Sequence, residues 1–124
     1  MRKKILVIDD DHRNTFALAA ILKTRGYEPI VASSMEQAFQ IMDEGFLPVA
    51  ILMDMMMPGM DGYEAIPKIK NDPKLNQIPL IAVTAQAMRG DREKCLAAGA
   101  DGYISKPVDI DKLVELLKEQ LHES

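Results

Sequence analysis

Three uninterrupted apolar runs, Ile5-Leu6-Val7-Ile8, Val49-Ala50-Ile51-Leu52-Met53 and Leu80-Ile81-Ala82-Val83, constrain this chain more than any other feature. None of them alternates apolar with polar residues. Each therefore reads as a strand covered on both faces, as in a parallel sheet flanked by helices. Residues 28–32 and 102–105 read as two weaker strands. Pro29, inside the first of these, removes a ladder donor and points to an edge position.

Helical patterns with end signals fill the gaps. Residues 14–25 are rich in Ala and Leu and stop at Gly26, a common helix terminator. Ser34-x-x-Gln37 is a capping box that opens a helix to about residue 44, with Gly45 behind it. Asp61-x-x-Glu64 resembles a second box, and residues 88–98 form a helix ending at Gly99. Asp109 caps a last helix whose apolar positions Ile110, Leu113, Val114, Leu117 and Leu121 keep helical spacing. Pro67 falls inside the third helix, where it costs a hydrogen bond, so that helix is expected to be short or kinked. The order is β-α five times over. Right-handed crossovers then place helices on both faces of one parallel sheet.

At 124 residues, one domain spanning 1–124 is expected, large enough to fold without staples. The net charge of −4 argues against a general nucleic-acid surface, which needs clustered Lys and Arg. Cys95 is the only cysteine, so no internal disulfide can form and a reducing cytoplasm is the natural compartment. Met1-Arg2-Lys3-Lys4 has the charge of a signal-peptide start, but Asp9 interrupts the apolar run behind it too soon for a signal or a membrane span. A cytoplasmic chain with no membrane contact is expected.

Ligands of open α/β sheets bind beyond the carboxyl ends of the strands. The first strand exits into Asp9-Asp10-Asp11, the third into Asp54, the fourth into Thr84 and the fifth into Lys106-Pro107. Each residue taken singly has an ordinary explanation. The acidic run is also what a solvated loop before a helix looks like, Asp54 what a turn before Pro58-Gly59 wants, and Thr84 what a strand wants. Together at one rim, crowded carboxylates repel one another and are most simply compensated by a cation. Mg²⁺ prefers such oxygen ligands, while the absence of His or Cys at suitable spacing disfavours zinc. Asp54 can then act as a nucleophile that forms an aspartyl phosphate, with Lys106 neutralising phosphoryl oxygens and the Thr84 hydroxyl donating to one of them. A cis bond before Pro107 would aim the Lys106 ammonium inward. Tyr103, on the last strand, is either packing or a ring that moves with Thr84. Methionines 53, 55, 56, 57 and 60 suit adaptable packing, Cys95 a quiet thiol, and His12 and His122 have no evident partner.

The segments ILVIDDD, ILMDMMMPGMDGYEA, PLIAVTA and GADGYISKP, in this order and spacing, resemble the signature segments of response-regulator (CheY-like) receiver domains. The resemblance covers essentially the whole chain. It implies a flavodoxin-like (βα)5 fold with a doubly wound, five-stranded parallel sheet of order 2-1-3-4-5 in three α/β/α layers; that order comes with the resemblance and is not read from the spacing. It implies Asp54 as phosphoacceptor and a Mg²⁺ site in which Asp10, Asp54 and the Met56 backbone carbonyl are direct ligands and Asp9 acts mostly through water. Asp11 matches no functional position. Thr84 and Lys106 would contact the phosphoryl group, and Tyr103 would be the switch aromatic. Phosphate would come from the phosphohistidine of a histidine kinase or a histidine phosphotransfer protein, or from acetyl phosphate. Phosphorylation would alter the surface of the fourth helix, last strand and last helix, to be read by a downstream output protein or domain; a homodimer is compatible with this. The family implies no enzyme beyond catalysis of its own phosphorylation and dephosphorylation. Met56 and Gln86 occupy positions that tune phosphoryl lifetime. The stretches DDDHRNTFAL and TAQAMRGDREK are similar to receivers attached to hybrid histidine kinases.

Two rivals remain at this stage. One is a receiver-like interaction module that works without phosphorylation. The other is a phosphohydrolase using Asp9-x-Asp11, opposed by the His12-Arg13 that follows and by the job this leaves Asp54 without. A flavin site is less suited still, since an acidic first loop is no phosphate cradle.

Overall fold

The parity of side chains along the strands sorts the core into two halves. In β1 (Lys3–Ile8), Ile5 and Val7 face one side of the sheet and Leu6 and Ile8 the other. The same alternation runs through β3 (Ala50–Asp54) and β4 (Leu80–Thr84). One half packs on α1 (His12–Thr24) and α5 (Ile110–Gln120) through Leu18, Leu22, Leu113 and Leu117. The other packs on α2 (Met35–Asp43), α3 (Gly62–Lys70) and α4 (Asp91–Ala98) through Met35, Ala38, Met42, Ala65, Ile66, Ile69 and Cys95. Burying each large aliphatic side chain in these halves stabilises the fold by roughly 1.5–3 kcal/mol. The computed structural model describes residues 3–57, 62–85 and 90–121.

With β2 (Tyr27–Ala32) and β5 (Gly102–Ser105) the sheet is fully parallel in the order β2-β1-β3-β4-β5. This is the flavodoxin-like doubly wound architecture expected. Pro29 does lie on an edge strand, where its missing N–H breaks no second ladder.

One helix boundary differs from expectation, and one cap is bonded differently, each for a local reason. The first helix begins at His12 rather than at residue 14, because Asp11 is its N-cap and accepts the Arg13 and Asn14 N–H groups at 3.1 and 3.2 Å. In α2 the cap is reciprocal but offset by one residue. Ser34 Oγ accepts the Gln37 N–H at 3.1 Å, while Gln37 Oε1 reaches back to the Ser33 N–H at 2.6 Å. Asp109 caps α5 as expected, through the N–H groups of Asp111 and Lys112. The helix holding Pro67 is short, at nine residues. The Asp61 box, the start of the fourth helix at residues 88–89, Met60, Gln86 and His122 lie outside the described residues.

Candidate functional site

Parallel strands all end on one rim, and their register decides what meets there. Ile8 pairs with Met53, so Asp9 stands beside Asp54; Asp54 pairs with Val83 and Thr84 with Ser105, so Lys106 leaves the sheet just beyond Thr84. The ladder continues past the strand ends and fixes these backbones. Asp9 N–H donates to Ala32 O at 3.0 Å, Met55 N–H to Val83 O at 2.9 Å and Lys106 N–H to Thr84 O at 2.7 Å. Two strand spacings, about 10 Å, separate the last strand from the third. Among cationic side chains a lysine has the reach and the point charge for that gap. The Lys106–Pro107 bond is cis.

Asp9 and Asp54 are enclosed, at 4% and 6% exposure, while Asp10 is open to solvent. Lys106 Nζ lies between the two enclosed carboxylates, 3.1 Å from Asp9 Oδ2 and 3.4 Å from Asp54 Oδ2. Asp9 also accepts the Asp11 N–H on Oδ1 at 2.9 Å and the Asn14 amide on Oδ2 at 2.8 Å. Asp54 Oδ1 accepts the Met56 N–H at 3.0 Å. One oxygen from each of Asp9, Asp10 and Asp54 can lie within 4.8 Å of the others.

The electrostatics divide the pair. Burial alone would raise the Asp9 carboxyl, but the Asp11 N–H, the Asn14 amide and Lys106 outweigh it and hold the group below the usual aspartate range. Burial also pushes Asp54 up, and against the Met56 N–H the Asp9 charge and the enclosure win, so Asp54 titrates above that range. Burial works against the Lys106 charge, yet the hydrogen bond to Asp9 and the charges of Asp54 and Asp9 raise its pKa overall. One ammonium against three carboxylates leaves an anionic cluster with oxygen donors only. That donor set fits a hard divalent cation such as Mg²⁺.

Thr84 is buried at the end of β4, next to this cluster. Tyr103 is half-buried on β5, and its hydroxyl donates to Asp91 Oδ2 at 3.2 Å. Asp91 Oδ1 accepts the Tyr63 hydroxyl at 2.6 Å, so one carboxylate at the start of α4 ties α3 and β5 together. The Cys95 thiol, fully enclosed and raised by burial, donates weakly to the Tyr63 oxygen at 3.8 Å, a packing role as expected. His12 is exposed on α1. Met53, Met55 and Met57 are buried, whereas Met56 is 52% exposed.

Asn14 and Asp91 escape a reading of strand exits because both sit on helices. The signals were present but ambiguous: an amide in the first turn of the first helix, and a Gly90-Asp91 start to the fourth.

A parallel α/β sheet that gathers an acidic trio, a hydroxyl and a lysine on one rim defines a class, the receiver domain of two-component response regulators. A family profile described as the response regulator receiver domain matches residues 5–118, and the chain belongs to that family. It is 36% identical over 121 residues to the polar-differentiation response regulator DivK of Brucella ovis, covering 98% of both chains. Among solved structures it resembles the receiver domain of sensor histidine kinase PA1611 from Pseudomonas aeruginosa, which holds a magnesium ion in its active site cleft (TM-score 0.87, 33% identity, 99% and 100% coverage). A receiver domain of a histidine kinase from Syntrophus aciditrophicus is also similar (TM-score 0.86, 30% identity, 97% and 90% coverage). Receiver domains of two-component systems interact with histidine kinases or phosphotransfer proteins and with downstream effectors. Among the described residues, no helix is long and apolar enough to cross a membrane.

Proposed function

We propose that this chain is a single phosphoacceptor domain of a phosphorelay, with Asp54 as the residue that carries the phosphoryl group. The observation that carries this reading is the enclosure of Asp54 at a strand exit, with Lys106 Nζ 3.4 Å from its outer oxygen. Asp9, Asp10, Asp54 and the Met56 carbonyl would hold Mg²⁺, whose charge offsets that of the phosphoryl oxygens.

The Asp54 carboxylate attacks phosphorus in line. An O–P bond forms, the P–N bond of the donor phosphohistidine breaks, and its electron pair returns to the imidazole nitrogen. The Met56 N–H holds Asp54 Oδ1, which leaves Oδ2, on the Lys106 side, as the attacking oxygen. Lys106 then turns from the carboxylates to the phosphoryl group, and Thr84 donates its hydroxyl to it. The chain acts on no separate substrate and catalyses only its own phosphorylation and dephosphorylation.

The product biases a two-state equilibrium because the phosphate contacts Thr84 and Lys106 in one state more than in the other. Inward rotation of Tyr103 gives up its bond to Asp91 and frees one tie on α4, changing the α4-β5-α5 surface offered to an output protein. The phosphohydrolase alternative is weakened by Asp11, whose Oδ1 is taken up by the helix N–H groups.

Incubation with Mg²⁺ and acetyl phosphate, followed by mass-spectrometric mapping, is expected to add one phosphoryl group at Asp54. Asp54→Asn is expected to abolish it with the circular dichroism spectrum unchanged. Stoichiometric, lasting modification of the variant would sink the mechanism, and no modification with any phosphodonor would favour the phosphorylation-independent interaction module.

A further inference from the structure

The proposed transfer makes no use of Asn14, yet its amide ends on the most enclosed carboxylate of the cluster. Asp9 divides three donors between two oxygens: the Asp11 N–H at 2.9 Å on Oδ1, and Asn14 Nδ2 at 2.8 Å with Lys106 Nζ at 3.1 Å on Oδ2. These donors differ in permanence. The Asp11 N–H belongs to the backbone, and Asn14 stands in the first turn of α1 with its own N–H bonded to the helix cap. Lys106 is a flexible arm shared with Asp54 at 3.4 Å. The amide is oriented with nitrogen toward Asp9, the only orientation in which it bonds a carboxylate.

An enclosed carboxylate stripped of a partner is costly, and it responds by turning away or taking a proton. Lys106 is the partner that phosphoryl transfer would remove. Once it leaves, Asn14 is, among the described residues, the side-chain donor still on Asp9 Oδ2, and it shares with the Asp11 N–H on Oδ1 the task of fixing the carboxylate's rotation. Groups that orient a carboxylate near a metal set its affinity even though they never touch the ion.

We propose that Asn14 is a positioning residue: its amide keeps the Asp9 carboxylate turned toward Asp10 and Asp54, and thereby sets how tightly this trio holds Mg²⁺. The inference rests on reading the trio as a Mg²⁺ site. Its side chain does two jobs at once, since the same bond lets Lys106 depart without leaving Asp9 Oδ2 bare.

The test is calorimetric titration of Mg²⁺ into the metal-free full chain, with no phosphodonor present. Asn14→Ala keeps a strong helix former in α1 and removes the amide. Its Mg²⁺ affinity is expected to fall about tenfold, with Asn14→Gln, which retains an amide, recovering part of the loss. In an Asp9→Asn background the Asn14→Ala change is expected to leave Mg²⁺ affinity unaltered, because the oxygen it serves has lost its charge. Unchanged affinity in Asn14→Ala, or an equal drop with Asp9 already replaced, overturns the role of Asn14. A wild-type chain that takes up no Mg²⁺ overturns the metal reading itself, so the two failures are separable. Should Asn14→Ala fail to fold, the comparison of Asn14→Gln and Asn14→Leu carries the same contrast between amide and no amide.

Discussion

Asp54 is held in the fold at a cost to the fold. Its carboxyl titrates above the usual range because burial and the Asp9 charge disfavour the ionised form. A carboxyl raised in the folded state favours proton uptake there, so its ionisation lowers stability as pH rises through the raised value and that penalty is present at neutral pH. Asp54→Asn removes the charge and keeps an oxygen for the Met56 N–H. In EDTA at neutral pH the variant is expected to melt at a higher temperature than wild type; in excess Mg²⁺ the difference shrinks, since the cation stabilises only the protein that binds it well. A lower melting temperature for the variant in EDTA would contradict this account of the cluster. Asp9, Asp10, Asp54, Thr84 and Lys106 were legible because each ends a strand or lies within two residues of its carboxyl end. Asn14 and Asp91 were not, because both sit on helices: the turn into α1 brings Asn14 back to Asp9, and only packing brings Asp91 to Tyr63 and Tyr103.

At the level of elements, small residues decide how closely α3 can approach the loop after β3. Gly62 opens α3 against Met55, and a Cβ there would lie 2.6 Å from Met55 Cε and 3.0 Å from its Cα. The side chain can swing aside; the backbone cannot. Gly62→Ala is therefore expected to cost about 1–3 kcal/mol in urea unfolding, as overpacking of an enclosed contact does, and a neutral result would show that the loop yields easily. Helix starts were readable where a cap is local, as at Ser34 and Asp109. The start of α1 was read two residues late because Asp11 looked like part of an acidic run, and only its bonds to Arg13 and Asn14 reveal it as the cap. The tie from Tyr63 and Tyr103 to Asp91 spans 28 and 12 residues, a pairing no local pattern announces.

The molecule as a whole is one sheet with an apolar half on each side. Ile5 and Ile66 are fully buried in opposite halves. Ile5→Val and Ile66→Val are each expected to cost about 0.5–1.5 kcal/mol, and the double variant to lose the sum within about 0.5 kcal/mol in a single transition. Separate transitions for the two halves would refute one cooperative unit. From sequence alone came the five β-α units, the parallel direction they force and hence the rim where Asp9, Asp54, Thr84 and Lys106 meet. Those follow from local periodicity and from the rule that parallel strands end together. The tertiary structure decided which helices cover which face, how Lys106 spans 97 residues of chain to reach Asp9, and which helical side chains finish the site. Side-chain parity, strand register and reach across the rim settle those contacts, and they exist only once the strands are side by side.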